Sequence, residues 1–200
     1  MLEALVLGLI AIVMDPVRTC LDPNVAAASS LFDAHMRAEV ASDLEGTLAT
    51  MVKHPHLLNL GSGTGGQGAE GVRRFYAEQL IGQFFPPDAE FIPISRTIDA
   101  NRLVDEVVIR FTHSQIISHL LPGVQPTGRR VTLALVVVVG LSEGKVSFEH
   151  IYWDQAGLLV QLGLLDGTGL PIDPGAGERL LEFMNDRTLK PRSDERSHDR

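Results

Sequence analysis

Apolar residues recur every three to four positions through much of the first half of the chain, a spacing that predicts helices with one buried side. Three such helices are predicted, over residues 24–40, 42–52 and 70–83. Ser42 and Glu45 have the spacing of a capping box at the start of the second helix. A short strand and a glycine-rich turn separate the second helix from the third. The stripe of the first helix consists of Val25, Ala28, Phe32, Met36 and Val40.

Strand signals dominate the second half of the chain. Strands are expected over residues 91–99 and over residues 103–115, where apolar and polar residues alternate. Residues 131–141 are almost all β-branched or aliphatic, so this strand must be covered on both faces. A tight turn, residues 142–145, leads into a further strand over residues 146–153. Helices first and strands afterwards are typical of an α+β fold, with helices on one face of an antiparallel sheet.

The two ends of the chain differ in composition from its middle. The apolar run near the N-terminus, residues 2–14, is shorter than the roughly 20 residues that cross a bilayer. It also lacks the basic start of a secretory signal, so a packing role is expected. The predicted organisation is an apolar extension (1–23), one domain (24–166), a C-terminal extension with a short helix (167–187) and a charged, disordered tail (188–200).

Charge and cysteine content narrow the expected partners. The net charge is −8, and no basic cluster stands out before the tail, which argues against nucleic acid and against an anionic membrane surface. The single cysteine, Cys20, cannot form an intramolecular disulfide, which suits a reducing compartment. We therefore expect a cytoplasmic protein that binds neither membranes nor nucleic acid.

A glycine-rich segment between a predicted strand and a predicted helix matches a nucleotide-binding pattern. Gly61, Gly63 and Gly66 spell G-x-G-x-x-G, and the segment is similar to the first motif of nucleoside-dependent methyltransferases. Such a loop binds a nucleotide only inside a parallel βαβ unit, with an acidic residue about 20 positions later. Neither feature follows here, so the interpretation favoured is a surface turn, and a methyltransferase is the third functional hypothesis.

Polar and aromatic residues gather where the last predicted strand ends, and together they are the components of a ligand pocket. His150 and His113, on separate strands, are candidates for proton transfer near neutral pH, although a half-buried structural histidine is the alternative for each. Asp154 is placed to act as the N-cap of a helix over residues 155–165. The cluster at the strand end consists of Glu149, His150, Tyr152, Trp153 and Asp154.

Further pocket candidates lie on earlier strands. His54 and His56 are two residues apart and therefore share a strand face, as a pocket lining or a metal pair requires. A metal would need more ligands from His113, His150 or Glu106, and no compact ligand motif supports one, so no metal is expected. Glu106 and Arg110 share a face as well, either as pocket residues or as an ion pair on that face.

Several short sequence motifs, taken in their order along the chain, resemble those of a known family. They are Gly71-Val-Arg-Arg-Phe-Tyr76, Pro126-Thr-Gly-Arg129, Gly144-Lys-Val146, Glu149-His150 with Asp154, and Leu158-Leu-Val-Gln-Leu-Gly163. The set resembles the SnoaL-like group of the nuclear transport factor 2-like superfamily over about residues 25–165. Residues 149–156 are also similar to small proteins labelled carboxymethylenebutenolidase, but Cys20 lacks the nucleophile elbow that such hydrolases require.

The resemblance implies a curved sheet wrapped by helices into a cone with one deep pocket, and a homodimer. It implies Asp154 as the proton-transfer group. His150 and His113, chosen from their own chemistry, are the expected partners in that transfer. The first hypothesis is a cofactor-free lyase, isomerase or polyketide cyclase-like enzyme acting on a small carbonyl compound, and the second is a binding or accessory domain without chemistry. The substrate-binding candidates are His54, His56, Glu106, Arg110, Tyr152 and Trp153.

Overall fold

Helices precede most of the strands, as predicted, in the part of the chain that the structure describes, residues 23–99 and 101–186 of a computed structural model. The helices are α1 (Pro23–Val40), α2 (Leu44–Ala49), α3 (Gly68–Phe75), α4 (Gln155–Gln161) and α5 (Ala176–Asn185), and a π-helical turn, Tyr76–Leu80, continues α3. The strands are β1 (Met51–Asn59), β2 (Gly65–Gln67), β3 (Glu90–Ile98), β4 (Arg102–Thr112), β5 (Arg130–Ser142) and β6 (Lys145–Trp153). No helix in this described part is long and apolar enough to cross a membrane.

The six strands form one sheet in the order β2-β1-β6-β5-β4-β3. All neighbouring pairs are antiparallel except β1 and β6, which run parallel. The predicted α+β class is confirmed, and the sheet is mixed rather than purely antiparallel. The cause is that β1, which follows the first two helices, pairs with the last strand of the chain. Glu149 of β6 therefore lies beside Leu57 of β1, near the middle of the sheet.

One face of the sheet, called here the inner face, is covered by helices and holds the core. On β6 this face carries Glu149, Ile151 and Trp153, because side chains alternate along a strand. On β5, the inner residues Leu135 and Val139 are buried. Helices α1 and α3 contribute buried aromatic side chains that pack against the inner residues, chiefly Phe32, Phe75 and Tyr76.

The opposite, outer face of the sheet is only partly covered. Helix α5 lies over the start of β5, where a Cβ on Gly177 would be 3.1 Å from the carbonyl oxygen of Thr132. Glu178 accepts hydrogen bonds there from Arg110 (Nε–Oε1 2.9 Å) and Thr132 (2.6 Å). The suggested ion pair between Arg110 and Glu106 is not formed, since Glu106 accepts a hydrogen bond from Ser95 instead.

Two details of the predicted helices are wrong. Helix α2 is capped by Asp43, whose Oδ1 accepts from the Gly46 N–H at 2.9 Å, and not by Ser42. Ser42 has a φ of 58° because the chain turns sharply between α1 and α2, a conformation that a β-region N-cap does not have. The same helix ends at Ala49 rather than near residue 52, since the chain enters β1 at Met51.

The hairpin turn between β5 and β6 follows the prediction. Glu143 and Gly144 have φ values of 55° and 66°, which a two-residue turn of type I′ requires. The predicted N-terminal extension (apart from Pro23) and the charged tail lie outside the described residues.

Candidate active site in an apolar cavity

An apolar cavity lies between the inner face of the sheet, α1 and the segment that follows α3. Its volume is about 110 Å³, of the order of the cavities that hold a small organic molecule. Charged and polar side chains reach it only from a few positions of the described chain. Its aromatic lining consists of Phe32, Phe75, Phe84, Phe85, Phe91 and Trp153.

A buried ionic cluster forms part of the cavity wall. Glu39 of α1 and Glu149 of β6 line the cavity, and the fully buried His35 lies between them. His35 Nε2 is 3.1 Å from Glu39 Oε1 and 3.4 Å from Glu149 Oε2. The Tyr76 hydroxyl donates to Glu149 Oε2 at 3.0 Å and lies 3.2 Å from His35 Nε2. Two carboxyl groups and a phenol thus surround one imidazole, and these four side chains come from three distant segments.

The hydrogen bonds fix the protonation of His35. The Thr50 hydroxyl donates its single proton to the Thr47 carbonyl at 2.6 Å, so its oxygen accepts from His35 Nδ1, also at 2.6 Å. His35 Nε2 faces two carboxylates and therefore carries a proton as well. The ring is consequently an imidazolium.

The electrostatics agree with this assignment. Burial by itself lowers the pKa of His35, but Glu149 and Glu39 outweigh it and raise the pKa to about 10. Burial raises the pKa of the Glu39 carboxyl, against the opposing effect of His35. Burial and the two carboxylates also raise the pKa of Tyr76, so its hydroxyl stays protonated. Two carboxyl groups thus share the single positive charge of His35 in apolar surroundings, an arrangement that favours the uptake of a proton.

The same cluster is a possible metal-binding group by composition. His35, Glu39 and Glu149 place one ligand atom each within 4.8 Å of one another, and they form such a set within the described ranges. Both nitrogens of His35 already serve as N–H donors, however, so the imidazolium supplies the positive charge that a metal ion would bring.

A second polar group stands on another wall of the cavity. Arg96 of β3 donates to both oxygens of Asp105 on β4 (2.6 Å each) and to Asp33 on α1 (2.9 Å). Another Nη1 bond reaches Ser29 at 3.1 Å. These four bonds use four of the five guanidinium N–H groups and leave one on Nη2. Arg96 therefore joins α1 to the sheet and retains one donor.

Of the residues predicted to form the site, Trp153 lines the cavity. Its indole N–H donates to Gln155 at 2.6 Å. The neighbouring His150 and Tyr152 point to the outer face, because positions 149, 151 and 153 of β6 take the inner one. His150 contacts His56 on that outer face, with 3.0 Å between their Nε2 atoms. These residues are not brought together with the ionic cluster.

The remaining predicted residues also lie away from the cavity lining. Asp154 caps α4, since its Oδ1 accepts from the Gly157 N–H at 2.9 Å. His113 is buried beside Thr127, with 3.2 Å between Nδ1 and Oγ1. His54 is exposed, and Glu106 and Arg110 make the outer-face contacts described above.

We expect the capping role of Asp154 to be visible in stability rather than in chemistry. Asp154→Ala should lower the free energy of unfolding by about 1 kcal/mol, whereas Asp154→Asn, which can still cap, should change it little. Urea unfolding of both variants measures this difference. If Asp154→Asn instead lost proton-transfer activity at full stability, Asp154 would have a catalytic role.

The glycine-rich segment is a turn, as favoured. It connects β1 to β2, which pair antiparallel, so it lies in no parallel βαβ unit. Gly61 is required by packing, because a Cβ there would lie 2.3 Å from Cε2 of the Trp153 indole. The nucleotide-binding interpretation has no structural support.

Comparison with known proteins was informative at the level of structure. No protein-family model and no curated protein sequence matches the chain. A SnoaL-like polyketide cyclase candidate from Jannaschia sp. CCS1 is similar with a TM-score of 0.56 and 19% identity, over 74% of this chain and 98% of that one. AclR from Streptomyces galilaeus, a hydroxylase candidate, gives 0.53 and 24%, over 71% and 99%.

A third solved structure, IdmH from Streptomyces antibioticus, named as a polyketide cyclase candidate, has a TM-score of 0.51 and 22% identity, over 68% of this chain and 97% of that one. This chain therefore shares the fold of these three solved structures, one of them named SnoaL-like. The fold that was expected from the sequence motifs is confirmed. Identities below 25% carry the fold and not the activity.

Proposed function

We propose that this protein is an acid–base enzyme, an isomerase, lyase or cyclase, acting on a small apolar carbonyl compound. The observation that carries the proposal is the Glu39–His35–Glu149 cluster in the wall of a mostly apolar, aromatic-lined cavity. Strongly perturbed titratable groups in a concave apolar site are typical of catalytic positions. The neighbours named as polyketide cyclases are consistent with such chemistry.

In the proposed step the carboxylate pair removes a proton from the carbon next to the substrate carbonyl. Because Glu39 and Glu149 share one imidazolium, they act as a pair, and the proton can rest on either residue. The C–H electron pair moves into the new C=C bond, and the carbonyl oxygen becomes an enolate oxygen. The remaining N–H of Arg96 is the proposed donor to that oxygen. Return of the proton to another carbon, or loss of a leaving group, completes an isomerisation or an elimination.

The test is proton exchange, which needs no knowledge of the natural reaction. We expect the protein to speed the exchange of the α-protons of bicyclic ketones such as 1-tetralone and 2-tetralone with D₂O, followed by NMR. Exchange no faster than in buffer for every ketone that binds would contradict the enzyme proposal. Ligand binding without exchange would favour the alternative, a non-catalytic binding domain. The apolar lining of the cavity is consistent with that alternative.

The proposal includes a homodimer formed through the outer face of the sheet beyond α5. Leu58 and Tyr152 are 39% and 44% exposed on this face, beside the half-buried Val104, Val136 and Val138. An exposed apolar surface of this kind favours association.

We expect a dimer by light scattering at micromolar concentration, and a monomer for Val138→Glu, which places a carboxylate in this patch. Leu164→Glu is the matched control, because Leu164 is 49% exposed but lies after α4, away from the patch. A monomeric wild type that dimerises after removal of residues 1–22 would instead assign the patch to the N-terminal extension.

A further inference from the structure

His119 is a second titratable residue of the cavity, and the proton transfer proposed above does not use it. It lies in the segment between β4 and β5, lines the cavity and is 5% exposed. Phe84 stacks on its ring at 6.1 Å with an interplanar angle of 19°, and Phe85 meets it edge-on at 5.5 Å. The aromatic neighbours fix the plane of the imidazole within an apolar wall.

One nitrogen of this ring is unsatisfied. Nδ1 of His119 is buried without a hydrogen-bond partner among the described residues. Burial lowers the pKa of His119 to about 4, against the opposing effect of a hydrogen bond to the Gln79 backbone. A backbone bond that raises the pKa of a histidine is one in which the ring N–H donates to the carbonyl. The ring is therefore neutral at pH 7, Nε2 is the donor to Gln79, and Nδ1 presents a lone pair.

The backbone of His119 is held by the glycine-rich turn. The hydroxyls of Ser62 and Thr64 both donate to the His119 carbonyl at 2.7 Å. Asn59, which lines the cavity, donates in turn to the Thr64 hydroxyl at 3.0 Å. The turn between β1 and β2 thus fixes the position of a loop residue from the other side of the cavity.

A buried acceptor without a partner has a definite chemical preference. Leaving it unpaired costs about 1–3 kcal/mol, and a ligand that supplies a donor recovers this cost. Nδ1 of a neutral imidazole can accept one hydrogen bond, and it cannot bind an anion or a second acceptor. The flanking Phe84 and Phe85 favour a ring next to the donating group. A phenolic hydroxyl meets both requirements.

We propose that His119 Nδ1 accepts a hydrogen bond from a phenolic hydroxyl of the ligand, so the ketone substrate of the proposed function also carries a phenol. The ketone part of this statement rests on the proposed function, and the hydroxyl part rests on His119 alone. His119 is a binding and specificity residue here and takes no part in the proton transfer.

Calorimetry with three matched ketones tests the proposal: 6-hydroxy-1-tetralone, 6-methoxy-1-tetralone and 1-tetralone. We expect the hydroxy compound to bind wild-type protein at least about tenfold more tightly than the other two, the equivalent of one recovered buried hydrogen bond. Equal affinities for all three would overturn the proposal without the need for any variant.

Variants then locate the effect. His119→Phe should remove the preference for the hydroxy compound and leave the affinity for 1-tetralone within about threefold, because the cavity stays apolar. His113→Phe is the matched control, since Nε2 of His113 is also buried and unpartnered but the residue does not line the cavity. Should His119→Phe fail to fold, Thr64→Val, which loosens the anchor of the loop, should weaken the preference. A preference that persists in His119→Phe or Thr64→Val would overturn the assignment.

The outcome separates this proposal from the proposed function. Binding is measured without turnover, so a preference for the phenol in a protein that exchanges no α-protons would contradict only the acid–base proposal. Rapid exchange of 1-tetralone with no preference for the phenol would contradict only the role of His119.

Discussion

Glu149→Gln is expected to reduce the rate of α-proton exchange by about 10²–10⁴-fold, the usual contribution of a positioned acid–base group. The glutamine amide has nearly the shape of the carboxylate but cannot accept a proton. It also removes one negative charge from His35, so the carboxylate that remains on Glu39 becomes a weaker base. Glu39→Gln should have an effect of similar size for the same reason. NMR-monitored exchange of a bound ketone in D₂O measures both variants.

Two further variants show whether a lower exchange rate comes from the loss of the base or from a disturbed fold. Glu149→Asp retains a carboxylate that is displaced by one methylene, and it should keep an intermediate rate. Asp154→Asn, a carboxylate-to-amide change at the N-cap of α4, should exchange protons like wild type. If Glu149→Gln and Glu39→Gln both exchanged at the wild-type rate while folded, the cluster would be structural and the proposed function wrong.

His35→Leu is expected to destabilise the fold by about 3–5 kcal/mol, because it leaves buried carboxylates without their counter-charge. Adding Glu39→Leu should restore part of the loss, since an apolar pair of similar volume often replaces a buried ion pair at little cost. Urea unfolding of the two single variants and the double variant measures this coupling. Additive losses in the double variant would show that the two residues do not form the charge pair described here.

The ionic cluster also gives stability a definite dependence on pH. Its neighbours raise the pKa of His35 from an ordinary 6.5 to about 10 in the folded protein. The stability due to the bound proton is fully present below pH 6.5 and is lost as the pH rises through 10. Urea unfolding of wild type between pH 7 and 10.5 should show this decline. In Glu149→Gln the decline should be smaller and should end at lower pH, because the loss of the Glu149 charge lowers the pKa of His35 in the folded protein. Parallel curves for the two proteins would contradict the assigned role of Glu149.

The fold could be predicted from this sequence largely because its spacing signals are local. The apolar stripe of α1, the run of β5 and the turn at Glu143 and Gly144 each specify one element without reference to the rest. The capping residue of α2 and the parallel pairing of β1 with β6 could not be read in this way. The cap of α2 depends on a local choice between Ser42 and Asp43. The pairing of β1 with β6 depends on contacts between residues far apart in the chain.

The proposed site differs from the predicted one for a different reason. The strand β6 and its cluster of polar residues were identified, but a shift of one residue exchanges the two faces of a strand. The prediction therefore favoured His150 and Tyr152 over Glu149, which lines the cavity. A usable signal was present in α1, where His35 and Glu39 are four positions apart and flank the apolar stripe of Phe32, Met36 and Val40. Two polar residues at that spacing beside a buried stripe indicate a buried polar pair.

The parallel contact between β1 and β6 has a consequence for biosynthesis. His56 and His150, which touch across this contact, are 94 positions apart in the chain. A ribosome has therefore exposed α1, α2, β1 and α3 long before it delivers the strand that carries Glu149. Until then the inner faces of α1 and α3 lack their partner, and such late, non-local pairing is slow. Chains released before β6 is complete would present this apolar surface to chaperones and proteases. Glu149, the proposed proton-transfer group, would arrive only with that strand.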